Sequence, residues 1–326
     1  MIHGDHRRIL LERWLASELR GARFTLTPAS EDASFRRYFR ATLEDGRTFV
    51  AMDAPPDKED CRPFVRIARL LHDAGVHAPA VHAQDLGAGF LLLSDLGTRT
   101  YLAELNAANA GALVGDAIDA LIRWQLATRA GELPPYDEAL LRREMNLFPE
   151  WYVARHRRMT LNARQAAALE GIFALLVKSA LAQPAVYVHR DYMPRNLMVS
   201  DPNPGVLDFQ DAVMGPITYD VVSLLRDAFI SWDEERVLDW SARYWEKAKR
   251  ANLPVAQDYG EFWRALEWMG LQRHLKVLGI FARINYRDGK PKYLEDTPRF
   301  LTYARAVATR YRELAPLAKL LDEVAA

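Results

Sequence analysis

The feature that most constrains this chain is the run V-H-R-D-Y-M-P-R-N-L-M-V-S at residues 188–200, followed by V-L-D-F-Q-D from Val206. Two apolar, strand-like runs, Ala185–Val188 and Leu197–Val199, flank a loop carrying His189, Asp191 and Asn196. A D-P-N-P-G turn then leads back through Val206 and Leu207 to Asp208. A hairpin of this kind brings its ends together, so Asp191, Asn196 and Asp208 are expected to converge on one volume. A carboxylate there can accept or orient a hydroxyl proton, while an amide oxygen and a second carboxylate suit a hard divalent cation.

Bulk composition limits what such a site acts on. The chain has 326 residues, with 43 Lys plus Arg against 43 Asp plus Glu, so its formal net charge is zero. A neutral chain has no general attraction for nucleic acid or anionic lipid, and a small molecule is the expected partner. No obligate protein partner is evident. Half of the residues are hydrophobic, enough for one large or two modest cores. The single cysteine, Cys61, excludes a disulfide framework and a thiolate metal cluster. Charges run through the first residues where a signal peptide would be apolar, and no apolar run reaches the length of a membrane span. A cytoplasmic protein with no membrane partner is expected.

Two regions of different character follow from the periodicities. After an opening helix over about residues 5–20, R-F-T-L-T-P, F-R-R-Y-F-R-A-T-L and T-F-V-A-M-D-A read as strands, the last two joined by E-D-G-R. Phe64, Ile67, Ala68 and Leu71 mark the buried face of a helix between Asp60 and Asp73. Strands follow near Ala80–His82 and in G-F-L-L-L-S-D-L. From Gly97 onward the pattern is helical, over about 110–129, 137–148, 162–182, 220–230, 233–250, 258–283 and 297–323. The expected class is α+β: a small antiparallel-sheet lobe with one helix over 1–97, and a larger, mainly helical lobe over 98–326 that contains the hairpin.

The side chains of the hairpin match what phosphoryl transfer needs. His189-Arg190-Asp191-Tyr192 through Asn196 follows the kinase spacing H-R-D-L-x-x-x-N, and Asp208-Phe209-Gln210 stands where D-F-G would. Asp191 is the expected base, with Asn196 and Asp208 as ligands of Mg²⁺, and ATP as phosphoryl donor. Oxygen donors without Cys or a His pair favour Mg²⁺ over zinc.

Two expected parts depart from that pattern. The loop over the phosphates, S-E-D-A-S-F-R-R-Y-F-R, lacks glycine, and Asp53 occupies the place of the phosphate-pairing lysine. A replacement cation is expected among Arg36, Arg37, Arg40 and Lys58. Arg37 shares one side of its strand with Phe35 and Phe39, and Arg36 shares the other with Arg40. Arg37, with Ser34 as a phosphate hydrogen-bond donor, is the nucleotide-side expectation. Ser94, Asp95 and Leu96 form the connection that would face adenine. Asp220 either caps a helix or braces the catalytic loop.

H-R-D-Y-M-P-R-N-L-M, L-D-F-Q-D-A and G-P-I-T-Y-D together resemble the aminoglycoside phosphotransferase and choline kinase-like superfamily, over about residues 20–320. The resemblance implies a two-lobed, protein-kinase-like fold. S-F-R-R-Y-F-R, M-D-A-P-P-D-K-E-D, Q-R-H-L-K-V-L-G-I-F-A-R and Y-R-D-G-K look most like the anomeric amino-sugar kinases of bacterial cell-wall recycling. That likeness implies ATP-dependent phosphorylation of the 1-hydroxyl of N-acetylmuramate and N-acetylglucosamine. An amino sugar with a carboxylate calls for a positioned cation, and Arg273, His274 and Lys276 of Q-R-H-L-K are candidates. Glu150 and Trp151 are candidates for hydroxyl bonding and ring stacking, and Arg195 for either substrate. Two alternatives stay open: a kinase for another small hydroxyl compound, such as an aminoglycoside or amino alcohol, and an ATP-binding pseudokinase.

Overall fold

A computed structural model describes residues 5–30 and 35–325. By internal contacts it divides into two compact units, one of residues 1–104 with 196–211, the other of 105–195 with 212–326. The chain therefore passes between units inside the motif itself, once after Arg195 and again after Asp211.

The first unit is built on an antiparallel sheet. Helix α1 (His6–Glu18) precedes strands β1 (Phe24–Ser30), β2 (Arg37–Leu43) and β3 (Thr48–Asp53). Helix α2 (Arg62–Asp73), strands β4 (Val81–Asp85) and β5 (Phe90–Ser94) and the short helix α3 (Tyr101–Glu104) follow. The sheet order is β1-β2-β3-β5-β4. Pro28 sits on the edge strand β1 beside an irregularity in register, where its missing N–H breaks no central ladder. Leu11 and Leu15 of α1 pack on Phe39, Ala51, Phe90 and Leu92 of the sheet. Phe64, Ile67, Ala68 and Leu71 of α2 are buried, as their helical spacing predicts.

In the second unit come helices α4 (Ala110–Leu126), α5 (Glu138–Met145) and α6 (Ala163–Leu181). A wide helical turn over Phe148–His156 joins α5 toward α6, a segment that the sequence did not foretell. Strand β6 (Ala185–Val188) leads to the loop that carries His189 and Asp191. In the first unit β7 (Leu197–Met198) pairs with β8 (Gly205–Val206), whereas β6 pairs with β9 (Val213–Pro216) in the second. The expected single hairpin is thus two separate ladders. The D-P-N-P-G turn closes only a two-residue strand, and V-M-G-P, overlooked for its Gly and Pro, supplies the partner of β6.

Helices α7 (Tyr219–Leu225), α8 (Glu234–Arg250), α9 (Tyr259–Asp288), α10 (Thr297–Arg310) and α11 (Ala315–Ala325) complete the unit. The predicted last helix is broken by a tight turn at Arg312–Leu314. Helix α9 is buried along most of its length and includes five buried polar residues, Glu267, Gln272, Arg273, His274 and Lys276. Such a helix needs internal partners for every polar group. Gly279 lets it approach the segment after α5, for a Cβ there would lie 2.3 Å from the Leu147 carbonyl carbon.

Candidate active site

The loop that carries His189 and Asp191 in the second unit starts at the end of β6. His189 is buried, and its backbone N–H donates to Asp220 Oδ2 at 2.6 Å. The Arg190 N–H donates to Asp220 Oδ1 at 3.0 Å. Asp220 lies in the first turn of α7 and is itself fully buried, so it braces the loop instead of capping the helix. Burial pushes its carboxyl up to about 7 against the pull of those two donors.

Arg190 adopts φ +76°, a left-handed conformation that costs a non-glycine residue about 1–3 kcal/mol. Its guanidinium Nη2 holds Glu144 Oε1 at 2.6 Å. Asp191 follows directly, its N–H donating to His189 Nδ1 at 3.2 Å and its carbonyl accepting from Met193 N at 2.9 Å. Tyr192 anchors the loop through a hydroxyl bond to the Ala117 carbonyl at 2.7 Å. The carboxylate of Asp191 is thus presented from a backbone fixed at both preceding residues.

Around Glu144 lies a buried polar cluster. Lys276 Nζ is 3.1 Å from Glu144 Oε1 and donates to the Tyr219 hydroxyl at 2.9 Å. The Tyr136 hydroxyl donates to Glu144 Oε2, and Gln272 Nε2 donates to the Tyr136 oxygen at 3.3 Å. Burial raises the Glu144 pKa, but the charges of Lys276 and Arg190 outweigh it and hold the group at about 2. Glu144 was missed from sequence. Its signal was a glutamate on the buried face of α5, between Leu141 and Met145.

The first unit carries Asn196 and Asp208, the expected metal ligands. Asp208 has φ +59°, again left-handed. Asn196 Nδ2 stands 3.5 Å from Asp208 Oδ2, and Leu207 N donates to the Asn196 carbonyl at 2.9 Å. Gln210 Nε2 donates to Asp208 Oδ1 at 3.0 Å. Phe209 is fully buried against Phe64 of α2, ring centroids 4.7 Å apart, which fixes the peptide that follows Asp208. Asn196 and Asp208 are therefore brought together, as expected. Among the described residues no group of three His, Cys, Asp or Glu side chains is suited to hold a metal ion. An amide and one carboxylate fit Mg²⁺, which retains waters and shares its sphere with phosphates.

Near the strands the cations are distributed unequally. Asp53 is fully buried and receives Arg7 Nε at 2.8 Å and Arg37 Nε at 3.0 Å. Arg37 also pairs with Asp5. Arg40 grips Asp95 through two bonds of 2.6 and 3.0 Å, and Gly97 N donates to the same carboxylate. Arg36 instead points its Nη2 to within 3.7 Å of Asp208 Oδ1. Burial opposes its charge, but Tyr38, Asp208, Glu59 and Asp211 together raise its pKa above the ordinary value. In the connection after β5, Ser94 N donates to the Ala80 carbonyl and its hydroxyl meets His82 at 3.0 Å, while Leu96 packs over Gly205. Ser34 lies outside the described residues.

The expected sugar residues separate from one another in the second unit. Lys276 is engaged by Glu144 and Tyr219. His274 is turned toward Phe300 and Tyr303 and lines a cavity of about 190 Å³ between α7, α8, α9 and α10. Burial, with Arg273 and Arg226 nearby, holds its pKa well below the ordinary value. Arg273 is buried beside the loop, its Nη2 4.0 Å from Met193 Sδ and its Nη1 without a hydrogen-bond partner. Arg195 lies over the Phe229 ring at 5.1 Å. Glu150 is exposed and Trp151 half-buried in the wide helical turn.

A carboxylate on a braced H-x-D loop, followed by an Asn and Asp pair, defines a kinase-type phosphotransferase. Residues 25–269 match the phosphotransferase enzyme family, and the chain belongs to it. It is 58% identical to the N-acetylmuramate/N-acetylglucosamine kinase of Pseudomonas putida, over 93% of this chain and 89% of that protein. With the N-acetylmuramate/N-acetylglucosamine kinase of Neisseria meningitidis it shares 51% identity, over 98% of this chain and 96% of the other. In structure it is similar to an ADP-bound aminoglycoside phosphotransferase, with a TM-score of 0.59 at 15% identity, over 90% of this chain and 97% of that one. That likeness bears out the two-lobed kinase-like α+β fold, and an ADP-bound neighbour agrees with the use of ATP. No helix among the described residues is long and apolar enough to cross a membrane.

Proposed function

We propose that this protein transfers the γ-phosphoryl group of ATP to the anomeric 1-hydroxyl of N-acetylmuramate and N-acetylglucosamine. The observation that carries this reading is the 58% identity to a kinase named for both sugars over 93% of the chain, and the presence of Asp191, Asn196 and Asp208 at the kinase spacing supports it. Such a reaction belongs in the cytoplasm, where it feeds sugar 1-phosphates from recycled cell wall toward UDP-N-acetylmuramate.

In this reading Asp191 orients the sugar hydroxyl and receives its proton as the oxygen attacks phosphorus. A hemiacetal hydroxyl is more acidic than an ordinary alcohol, so positioning matters more than proton affinity. Asn196 and Asp208 would hold Mg²⁺, whose chemistry is to offset charge on the triphosphate oxygens. Ser94 to Leu96 offer backbone groups to adenine.

The sugar carboxylate of N-acetylmuramate needs a cation, and Arg273 suits it better than its neighbours on α9. Its Nη1 lacks a hydrogen-bond partner, and the side chain reaches Met193, two residues beyond Asp191. Lys276 already serves Glu144, and His274 lies among Phe300 and Tyr303. Arg195 is a second candidate, with Glu150 and Trp151 available for hydroxyl bonding and stacking.

The experiment is a release assay for ADP with N-acetylmuramate, N-acetylglucosamine and kanamycin side by side. Turnover on both amino sugars supports the proposal, and turnover on kanamycin alone overturns it. ADP release on none of the three, with Mg·ATP still bound, would instead mark a pseudokinase.

A further inference from the structure

We propose that the cavity beside His274 is a second ligand site, built for a small monocarboxylate with an apolar body. Its residues all lie in the second unit, and the phosphotransfer reading above assigns a role to none of them.

The cavity is set apart from the Asp191 loop along two helices. Asp220, which braces that loop, is in the first turn of α7, whereas Leu225 and Arg226 line the cavity from the other end of that helix. On α9, Trp263 and Leu266 line it from seven to ten residues before Arg273, about 10–15 Å along the axis. Its volume is about 190 Å³, and roughly 150 Å³ is enough to admit benzene. Ala306 of α10 is exposed and lines the cavity as well, which leaves a way in from solvent.

Two polar groups in the cavity lack partners. His274 is only 2% exposed, and among the described residues its Nδ1 has no hydrogen-bond partner. Its Nε2 edge is left clear because residue 270, one turn earlier on α9, is glycine. A Cβ there would stand 3.4 Å from His274 Nε2 and 2.8 Å from Val222 Cγ2. Glycine inside a helix costs about 0.5–1 kcal/mol relative to alanine, and here it allows both the close approach of α7 and an uncovered ring. Arg226 is the second group. Its guanidinium lies over the Tyr303 ring at 5.2 Å and, among the described residues, makes no ion pair or side-chain hydrogen bond. Its charge is felt by His274 and by Glu267 without a bond to either.

The carboxylates of the cavity are already engaged. Arg310 donates to Glu267 Oε1 and to Glu234 Oε1, and the Tyr311 hydroxyl donates to Glu267 Oε2. A cationic ligand would have to compete with these donors, whereas an anion meets a guanidinium without a carboxylate partner and an imidazole beside it. Val222, Leu225, Val237 and Leu266, with the Trp263 and Tyr303 rings, supply apolar walls for a ring or branched chain. Apolar walls with a few convergent polar groups are the usual make-up of a small-molecule site.

The test titrates 4-fluorobenzoate into the unaltered protein and follows its fluorine signal by NMR. 4-Fluorobenzyl alcohol and 4-fluorobenzylamine serve as neutral and cationic probes of similar shape. The carboxylate should bind with a Kd of about 0.1–1 mM, and the alcohol and amine at least about 10-fold more weakly. Arg226→Gln should weaken the carboxylate about 10- to 100-fold and leave the alcohol nearly unchanged. If that variant does not fold, the three probes on the unaltered protein decide the matter. Excess N-acetylmuramate should leave the carboxylate in place. No saturable binding of the carboxylate, an alcohol or amine bound as tightly, undiminished carboxylate affinity in Arg226→Gln, or displacement by N-acetylmuramate overturns the proposal. None of these readouts needs turnover, so the sugar-kinase reading is judged separately.

Discussion

Arg190 and Glu144 meet at 2.6 Å, and through that contact the residue before Asp191 is tied to helix α5 and, by way of Lys276, to helix α9. Removing Glu144 leaves two cations facing each other in the interior. Breaking a buried ion pair from one side typically costs about 3–5 kcal/mol, and Glu144→Gln should lose roughly that much in urea unfolding. The unfolded pKa of Glu144 is near its ordinary value of 4.5 and its folded value is about 2. Its contribution is thus fully present above about pH 4.5 and is lost as pH falls through about 2. The stability gap between the unaltered protein and Glu144→Gln should narrow over that interval, and a gap independent of pH would contradict the charge assignment.

Asp220 behaves in the opposite sense. Its folded pKa is raised from 3.8 to about 7, so the stability linked to its proton is complete below about pH 4 and is lost as pH rises through about 7. Asp220→Asn should gain stability relative to the unaltered protein between pH 5 and pH 8, measured by thermal unfolding at each pH. Activity should move the other way. An amide supplies only one oxygen for the two N–H groups of His189 and Arg190, and kcat is expected to fall about 10-fold or more. A variant with unchanged kcat would mean that the loop does not depend on this brace.

The role proposed for Arg273 predicts that it distinguishes the two sugars. N-acetylmuramate carries a carboxylate and N-acetylglucosamine does not, so Arg273→Ala should raise KM for the first about 10- to 100-fold and for the second by much less. Comparing the sugars on one variant cancels any general damage from altering a buried arginine. Equal losses on both would assign Arg273 to the fold alone.

The sequence made some of this architecture legible and hid the rest for physical reasons. Strand β2 and the buried face of α2 stand out by their period, and β3 and β5 stand out as short runs rich in strand-forming apolar residues. The partner of β6 did not, since V-M-G-P reads as a turn and strand pairing between distant segments leaves no local trace. Asn196 and Asp208 could be picked out because they stand at the separations that the kinase pattern sets. Glu144 was not, because a charged residue on an apolar helix face is meaningful only once Arg190 and Lys276 are seen against it. The strand arginines lay between these cases. Alternation separates Arg37 from Arg36 and Arg40, but only the positions of Asp5, Asp53, Asp95 and Asp208 show what each one meets.

The most direct measurement mixes Mg·ATP and N-acetylmuramate with the unaltered protein and with Asp191→Asn, following phosphorus by NMR and AMP-PNP affinity by calorimetry. The unaltered protein should produce a sugar 1-phosphate, and Asp191→Asn should lose about 1,000-fold in rate while keeping AMP-PNP affinity within a few-fold. Transfer by Asp191→Asn at the original rate, or a product phosphorylated away from the anomeric carbon, would contradict the account.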